Sequence, residues 1–279
     1  MRVAQGNVRE LRPNHLLPIG VAATAGTGNR IGGSRNEIWL CPAFNQHQEP
    51  VMVYLKLGLT TRKMMVEALC AQLAHCIGLD TPPPYLVTVN PRHVGRPAGP
   101  SALVFGAEDL ATRSMARPMQ ALEPLLDLLR RMKLDDLSCA FDEWIGNDVR
   151  SPSDILVSPE SRIYLIDHEA ALAEGMDVDA SVTNWLAQRL VEGLNVDGRM
   201  ALLHRVRGRI AALHRVALGP VPLAAQYSQD GVPIYESLVK FLAERLAYVD
   251  QLLSQRLVPE QGYLKPAPIP LQTDSAATP

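Results

Sequence analysis

The chain has 279 residues, 47% of them hydrophobic and 20% charged, enough to bury the core of one large or two small domains. Its 27 basic and 29 acidic residues leave a net charge of −2, which argues against a nucleic-acid protein with its usual basic surplus. No stretch approaches the ~18 apolar residues of a membrane span, and no apolar run of the signal-peptide kind follows Met1-Arg2. Cys41, Cys70, Cys76 and Cys139 form no CxxC pair and no zinc spacing, so buried, reduced thiols in a cytoplasmic protein are expected.

In chain order, the first ~105 residues read as mostly strand with one helix, and the next ~150 as mostly helix. Val51 to Leu57 is an apolar run rich in β-formers and reads as a strand. Thr60 or Thr61 can cap a following helix, in which Val66, Leu69, Leu73 and Ile77 recur at helical spacing until Gly78. Pro82, Pro83 and Pro84 precede a strand over Tyr85–Val89, and Ala102 to Phe105 is a further strand candidate. Met119 to Met132 and Leu137 to Ile145 read as helices, the second ended by Gly146-Asn147. Two short strands are expected over Asp154–Val157 and Arg162–Ile166, joined by a turn at Ser158–Ser161. Amphipathic helices are expected over Ala180–Glu192, Gly198–Leu218 and Pro233–Leu257, and the Pro-rich last 20 or so residues as a disordered tail.

Phosphoryl transfer needs a lysine on the phosphates, a carboxylate to hold that lysine and groups to bind a metal, and this frame has a candidate for each. Lys56 sits inside an apolar strand, pointing either to solvent or into a cleft. Glu67 lies two helical turns later, beside the apolar stripe, where a carboxylate can reach back to Lys56; the bland alternative is a solvated helix residue. Asp167 ends the apolar strand Tyr164-Leu165-Ile166, a firm position for a Mg²⁺ ligand, and Asp154 can add a second oxygen from the paired strand. Turn or cap chemistry is the competing reading of both. Upstream, the stretch from Gly26 to Arg35 includes Gly28, Gly32 and Gly33, whose backbone amides could approach phosphate, with Arg30 and Arg35 to neutralise charge. The spacing is not G-x-G-x-x-G, and a flexible hairpin explains the same glycines.

The run Trp144-Ile145-Gly146-Asn147, then Arg150, Ile155-Leu156 and Leu165-Ile166-Asp167-His168, resembles the HipA-like kinases, whose catalytic loop reads W-I-x-N-x-D-R-H-x-x-N-L-L before an L-I-D-H-type strand end. The likeness spans roughly residues 15–255. It implies an α+β, two-lobed, protein-kinase-like fold, with a mainly β N-lobe holding one helix and a mainly α C-lobe. The expected division is 1–106, 107–258 and a tail over 259–279. It implies ATP and Mg²⁺ as cofactors, with Lys56 on the phosphates, Glu67 holding Lys56, and Asp154 and Asp167 on the metal. Gly106-Ala107-Glu108 would be the linker whose backbone meets adenine, and His168 would pack under Asp167. The sequence departs from the pattern where chemistry is most demanding. The catalytic aspartate position holds Val149, the histidine is Ser151, and the metal-binding asparagine is Asp154. Asp148 is the nearby stand-in for the base, and Arg150 matches the family's arginine.

The leading expectation is therefore an ATP-dependent phosphotransferase acting on a protein or small-molecule acceptor, with no nucleic-acid or membrane partner. The second is a pseudokinase that binds nucleotide or a partner. The third is a helical interaction protein, which would leave Lys56 and Glu67 far apart.

Overall fold

A computed structural model describes residues 17–32, 36–110, 117–118, 121–214 and 222–258. The β-rich part contains β1 (Gly20–Thr24), β2 (Asn29–Ile31), β3 (Glu37–Asn45), β4 (Pro50–Leu57), β5 (Pro84–Val89) and β6 (Ala102–Glu108), with helix α1 (Thr61–Cys76) between β4 and β5. Strand order is β1-β5-β6-β4-β3-β2, and β1 also pairs with β3. The sheet thereby closes on itself through β1, β5, β6, β4 and β3, leaving β2 paired to the outer end of β3.

Side-chain alternation explains the closure. In β4, Val51, Val53, Leu55 and Leu57 are buried, while Met52, Tyr54 and Lys56 lie on the opposite face. The first set packs with Cys41, Ala43, Val87, Val89 and Val104 in one apolar cluster inside the closed sheet. Glycine is demanded there: a Cβ at Gly106 would lie 2.7 Å from a Val87 methyl, and one at Gly20 would lie 2.4 Å from the Tyr85 ring. Outside, Leu86 and Phe105 pack with Met65, Leu69 and Leu73 of α1 in the larger core. Lys56 pairs across to Phe105 in register, so it shares the face that α1 covers.

α1 begins at Thr60, whose side chain accepts from the Lys63 N–H at 3.3 Å. The helix is buried almost all round, because the helical part covers the side away from the sheet. Tyr235 donates there to Gln72 Oε1 at 2.8 Å.

The helical part contains α2 (Leu122–Arg131), α3 (Asp135–Trp144), α4 (Trp185–Val191), α5 (Val196–Leu213), α6 (Gly231–Arg245) and α7 (Val249–Leu257). A small sheet of β7 (Arg117–Pro118), β8 (Ile155–Val157) and β9 (Ile163–Leu165) accompanies them. α3 is buried along its whole length, and its Trp144 donates to the Leu242 carbonyl at 2.9 Å. The Leu165 N–H donates to the Asp80 carbonyl at 2.9 Å, which ties β9 to the segment just after α1. This link brings the end of β9 against α1.

Several expectations shift. The helix expected over Pro233–Leu257 is two helices, separated by tight turns in which the Ala247 and Tyr248 N–H groups donate to the Glu244 and Arg245 carbonyls. The helix expected from Ala180 starts only at Trp185, because the Asn184 side chain caps it by accepting from the Ala187 N–H at 3.0 Å. The Gly198–Leu218 helix begins earlier, at Val196, and its described part ends at Leu213. Gly106-Ala107-Glu108 is not a linker. These residues continue β6 and pair with Leu55, Tyr54 and Val53 of β4, so Glu108 is a buried strand residue. Residues 259–279 lie outside the described residues. All four cysteines are buried, and none is in a disulfide among the described residues. Among the described residues, no helix is long and apolar enough to cross a membrane.

Candidate active site

Lys56 projects from β4 onto three carboxylates. Its Nζ donates to Glu67 Oε1, to Asp167 Oδ1 at 2.6 Å and to Glu169 Oε2 at 3.1 Å. An ammonium has three N–H donors, so each carboxylate takes one. Glu67 is almost fully buried, and its other oxygen accepts from the His168 backbone N–H at 3.0 Å. The strand end thus pins Glu67 from one side and Lys56 from the other. His168 lies beneath, buried and edge-on to Phe141 at 5.9 Å between ring centroids. Burial pushes its pKa down, against the opposing pull of the Glu67 carboxylate.

The electrostatics follow from this packing. Burial alone would push Glu67 up, but the adjacent Lys56 charge and the bond from His168 outweigh it and hold the carboxyl at about 2. Burial likewise works against the Lys56 ammonium, yet the three carboxylates raise its pKa above the ordinary lysine value. The sign for stability is direct. A carboxyl whose folded pKa is depressed adds stability above its unfolded pKa, and that stability is lost as pH falls through the folded value. Unfolding free energy measured in urea is expected to drop as pH falls from about 4.5 toward 2, by on the order of 3 kcal/mol. Glu67→Gln should flatten that slope.

Asp167 sits in a left-handed backbone conformation, with φ at 63°. Aspartate tolerates this better than most residues, and such strain concentrates at functional sites. Its side chain is 43% exposed, so one face remains open to solvent. Asp154 lies one strand away, where the Ile166 N–H donates to its carbonyl at 2.9 Å. Its carboxylate caps the 3-10 turn Pro152–Asp154, accepting from the Ser151 N–H at 2.7 Å and the Ser151 hydroxyl at 2.8 Å. Burial raises its pKa; the Ser151 bonds oppose this, and the Asp167 charge adds to it. Carboxyls in that position would be relieved by a divalent cation, and oxygen donors suit Mg²⁺. The tightest acidic group among the described residues is Glu67, Asp167 and Glu169, with ligand oxygens within 4.8 Å of one another. Asp154 falls outside that group.

The loop before Asp154 is held by Arg150, which was expected among the catalytic groups. Arg150 is buried and touches no open surface. It donates to both Asp142 oxygens, Nε to Oδ2 at 2.9 Å and Nη2 to Oδ1 at 2.7 Å, and Nη1 donates to the Ile166 carbonyl at 2.8 Å. It therefore clamps the end of α3 to the residue before Asp167 and acts as a positioning residue. Asp148, expected to stand in for the base, is exposed, and its carboxylate accepts from the Thr183 N–H instead. Val149 occupies the neighbouring position and is 50% exposed.

The glycine-rich stretch divides. The Gly28 amide, expected to approach phosphate, is engaged within the β-rich part. Its N–H donates to the His93 carbonyl at 2.8 Å, and a Cβ there would fall 2.1 Å from Cys41 Sγ, so glycine is needed for packing. Gly32 directly follows β2, and a Cβ there would meet nothing within 4 Å. Gly33 and Arg35 lie outside the described residues. The Asn36 side chain donates to Glu169 Oε1. Glu169 was not singled out in the sequence; the signal was present as a second acid two residues past Asp167.

A family model described as HipA-like kinase matches residues 29–201. Comparison with curated proteins gives no match. Among solved structures, that of the Helicobacter pylori proinflammatory kinase CtkA is similar, with a TM-score of 0.50 and 13% identity over 84% of this chain and 97% of that chain. At this identity the likeness is one of fold.

Proposed function

The chain belongs to the HipA-like kinase family, and we propose that it is an ATP-dependent phosphotransferase whose β-rich and helical parts act as two lobes around Mg·ATP. The observation that carries this reading is the contact of Lys56 with Glu67 and Asp167, contributed by β4, α1 and the end of β9. Phosphoryl transfer needs an oriented lysine on the phosphates, a carboxylate that fixes it and an acid for the metal. Lys56 would bind the α/β-phosphates, Glu67 would hold it extended, and Asp167 with Asp154 would hold Mg²⁺. The metal would neutralise charge on the phosphate oxygens. Gly32 would let backbone approach the phosphates, and Arg150 would keep the loop and Asp167 in place. Glu108, whose backbone was expected to meet adenine, lies in β6 paired with Val53 of β4. The acceptor is a protein serine or threonine, with small molecules as the competing class.

One observation favours a second reading. Val149 offers no proton acceptor, and Asp148 is engaged by Thr183. A pseudokinase that binds nucleotide and works through a partner fits those two facts.

The test is thermal unfolding with and without Mg·ATP. At a ligand concentration ~100 times Kd, the midpoint is expected to rise by roughly 5 °C or more. Lys56→Ala and Asp167→Ala should lose most of the shift. No shift in the folded wild type would defeat the nucleotide site. A shift without transfer to any acceptor would favour the pseudokinase.

A further inference from the structure

We propose that Glu169 occupies the place of the nucleotide's phosphates on Lys56, so that nucleotide must displace it. The inference rests on the nucleotide site proposed above.

Lys56 has three N–H groups, and Glu67, Asp167 and Glu169 take all of them. A phosphate oxygen can reach Lys56 only if one carboxylate leaves. Glu67 is poorly placed to leave: it is buried and held a second time by the His168 N–H. Asp167 is half open to solvent and positioned for metal. Glu169 remains. Its side chain is 15% exposed, it makes the longest of the three contacts, and its other oxygen is held by Asn36 alone among the hydrogen bonds described. Asn36 stands immediately before β3. A nucleotide reaching Lys56 meets Glu169 as a like charge already seated on the lysine it requires.

The charge count points the same way. Three carboxylates and one ammonium leave a surplus of two negative charges facing an anionic ligand, and removing Glu169 leaves one. Binding without metal should therefore be suppressed in the wild type and relieved by neutralising Glu169.

The experiment measures ADP affinity calorimetrically, in EDTA and again in Mg²⁺, for wild type, Glu169→Gln and Glu169→Ala. In EDTA both variants are expected to bind ADP about tenfold more tightly than wild type, the worth of one charged hydrogen bond no longer broken. The gain from adding Mg²⁺ should shrink in the variants. A misfolded variant cannot produce tighter binding, so the expected result is not open to that confusion. Unchanged or weaker affinity in EDTA overturns the proposal. Weaker affinity confined to Mg²⁺ also overturns it and makes Glu169 a metal ligand. Absence of ADP binding in the wild type and both variants, all folded, defeats the nucleotide site itself and this inference with it.

Discussion

Val149→Asp is expected to raise phosphate transfer by about 10²–10⁴-fold, the usual contribution of a positioned general base. By the resemblance of the Trp144–Leu156 run to the family's catalytic loop, position 149 would be that of the catalytic aspartate, and valine can neither accept a proton nor orient a hydroxyl. The site is ready for the change. The Val149 side chain is 50% exposed, so an aspartate there suffers little burial, and the loop on either side is fixed by Asn147 and Arg150. The measurement is the initial rate of γ-phosphate transfer, both to the chain itself and to a generic protein acceptor. Val149→Asp with Asp167→Ala should show no gain, since the acid proposed to hold Mg²⁺ is removed. A rate for Val149→Asp equal to wild type would mean that the proton is taken elsewhere or that transfer is not the protein's work. Asp148→Ala serves as the companion: with its carboxylate held by Thr183, it should leave the rate unchanged.

Arg150→Met is expected to cost about 3–5 kcal/mol of stability, because it leaves the Asp142 carboxylate buried without its partner. Both side chains are essentially inaccessible, at 0% and 1% exposure, so water cannot replace the lost bonds. Replacing both at once, Asp142→Leu with Arg150→Met, should cost much less, since no charge is then stranded. The Ile166 carbonyl also loses its donor in Arg150→Met, which loosens the residue before Asp167. Mg·ATP affinity should therefore fall in the single variant under conditions where it is still folded. Urea unfolding and a nucleotide titration read the two effects separately, and a loss below about 1 kcal/mol would remove Arg150 as the clamp.

The parts of the site legible in sequence were those set by local periodicity. Alternation in β4 placed Lys56 on one face, and helical spacing placed Glu67 on α1, so their approach across one short turn could be read from residues 51–77. Asp167 was legible as an acid at the end of an apolar strand. What failed depended on distant contacts. Gly28 resembles any phosphate-loop glycine until Cys41 of β3 is seen against it. Gly106 likewise looks like a break in a strand, and only the Val87 side chain across the closed sheet shows why it is required within one. Arg150 was found by resemblance, but its partner Asp142 lies eight residues away around a loop whose course no pattern announces. Glu169 matters because β4 and β3 both come to it from more than 100 residues away.

Closure of the β-rich sheet also bears on how the molecule behaves among its own copies. A free sheet edge is a row of unsatisfied backbone donors and acceptors, a template on which a strand from another chain can grow. Pairing of β1 with both β5 and β3 covers the edges that those two strands would otherwise offer. Among the described residues, the strand left at the margin of this sheet is β2, three residues long, with Asn29 and Arg30 exposed. A short margin bearing a charge is a poor template for recruitment. The arrangement that seats Lys56 thus also guards a valine-rich strand system against self-association.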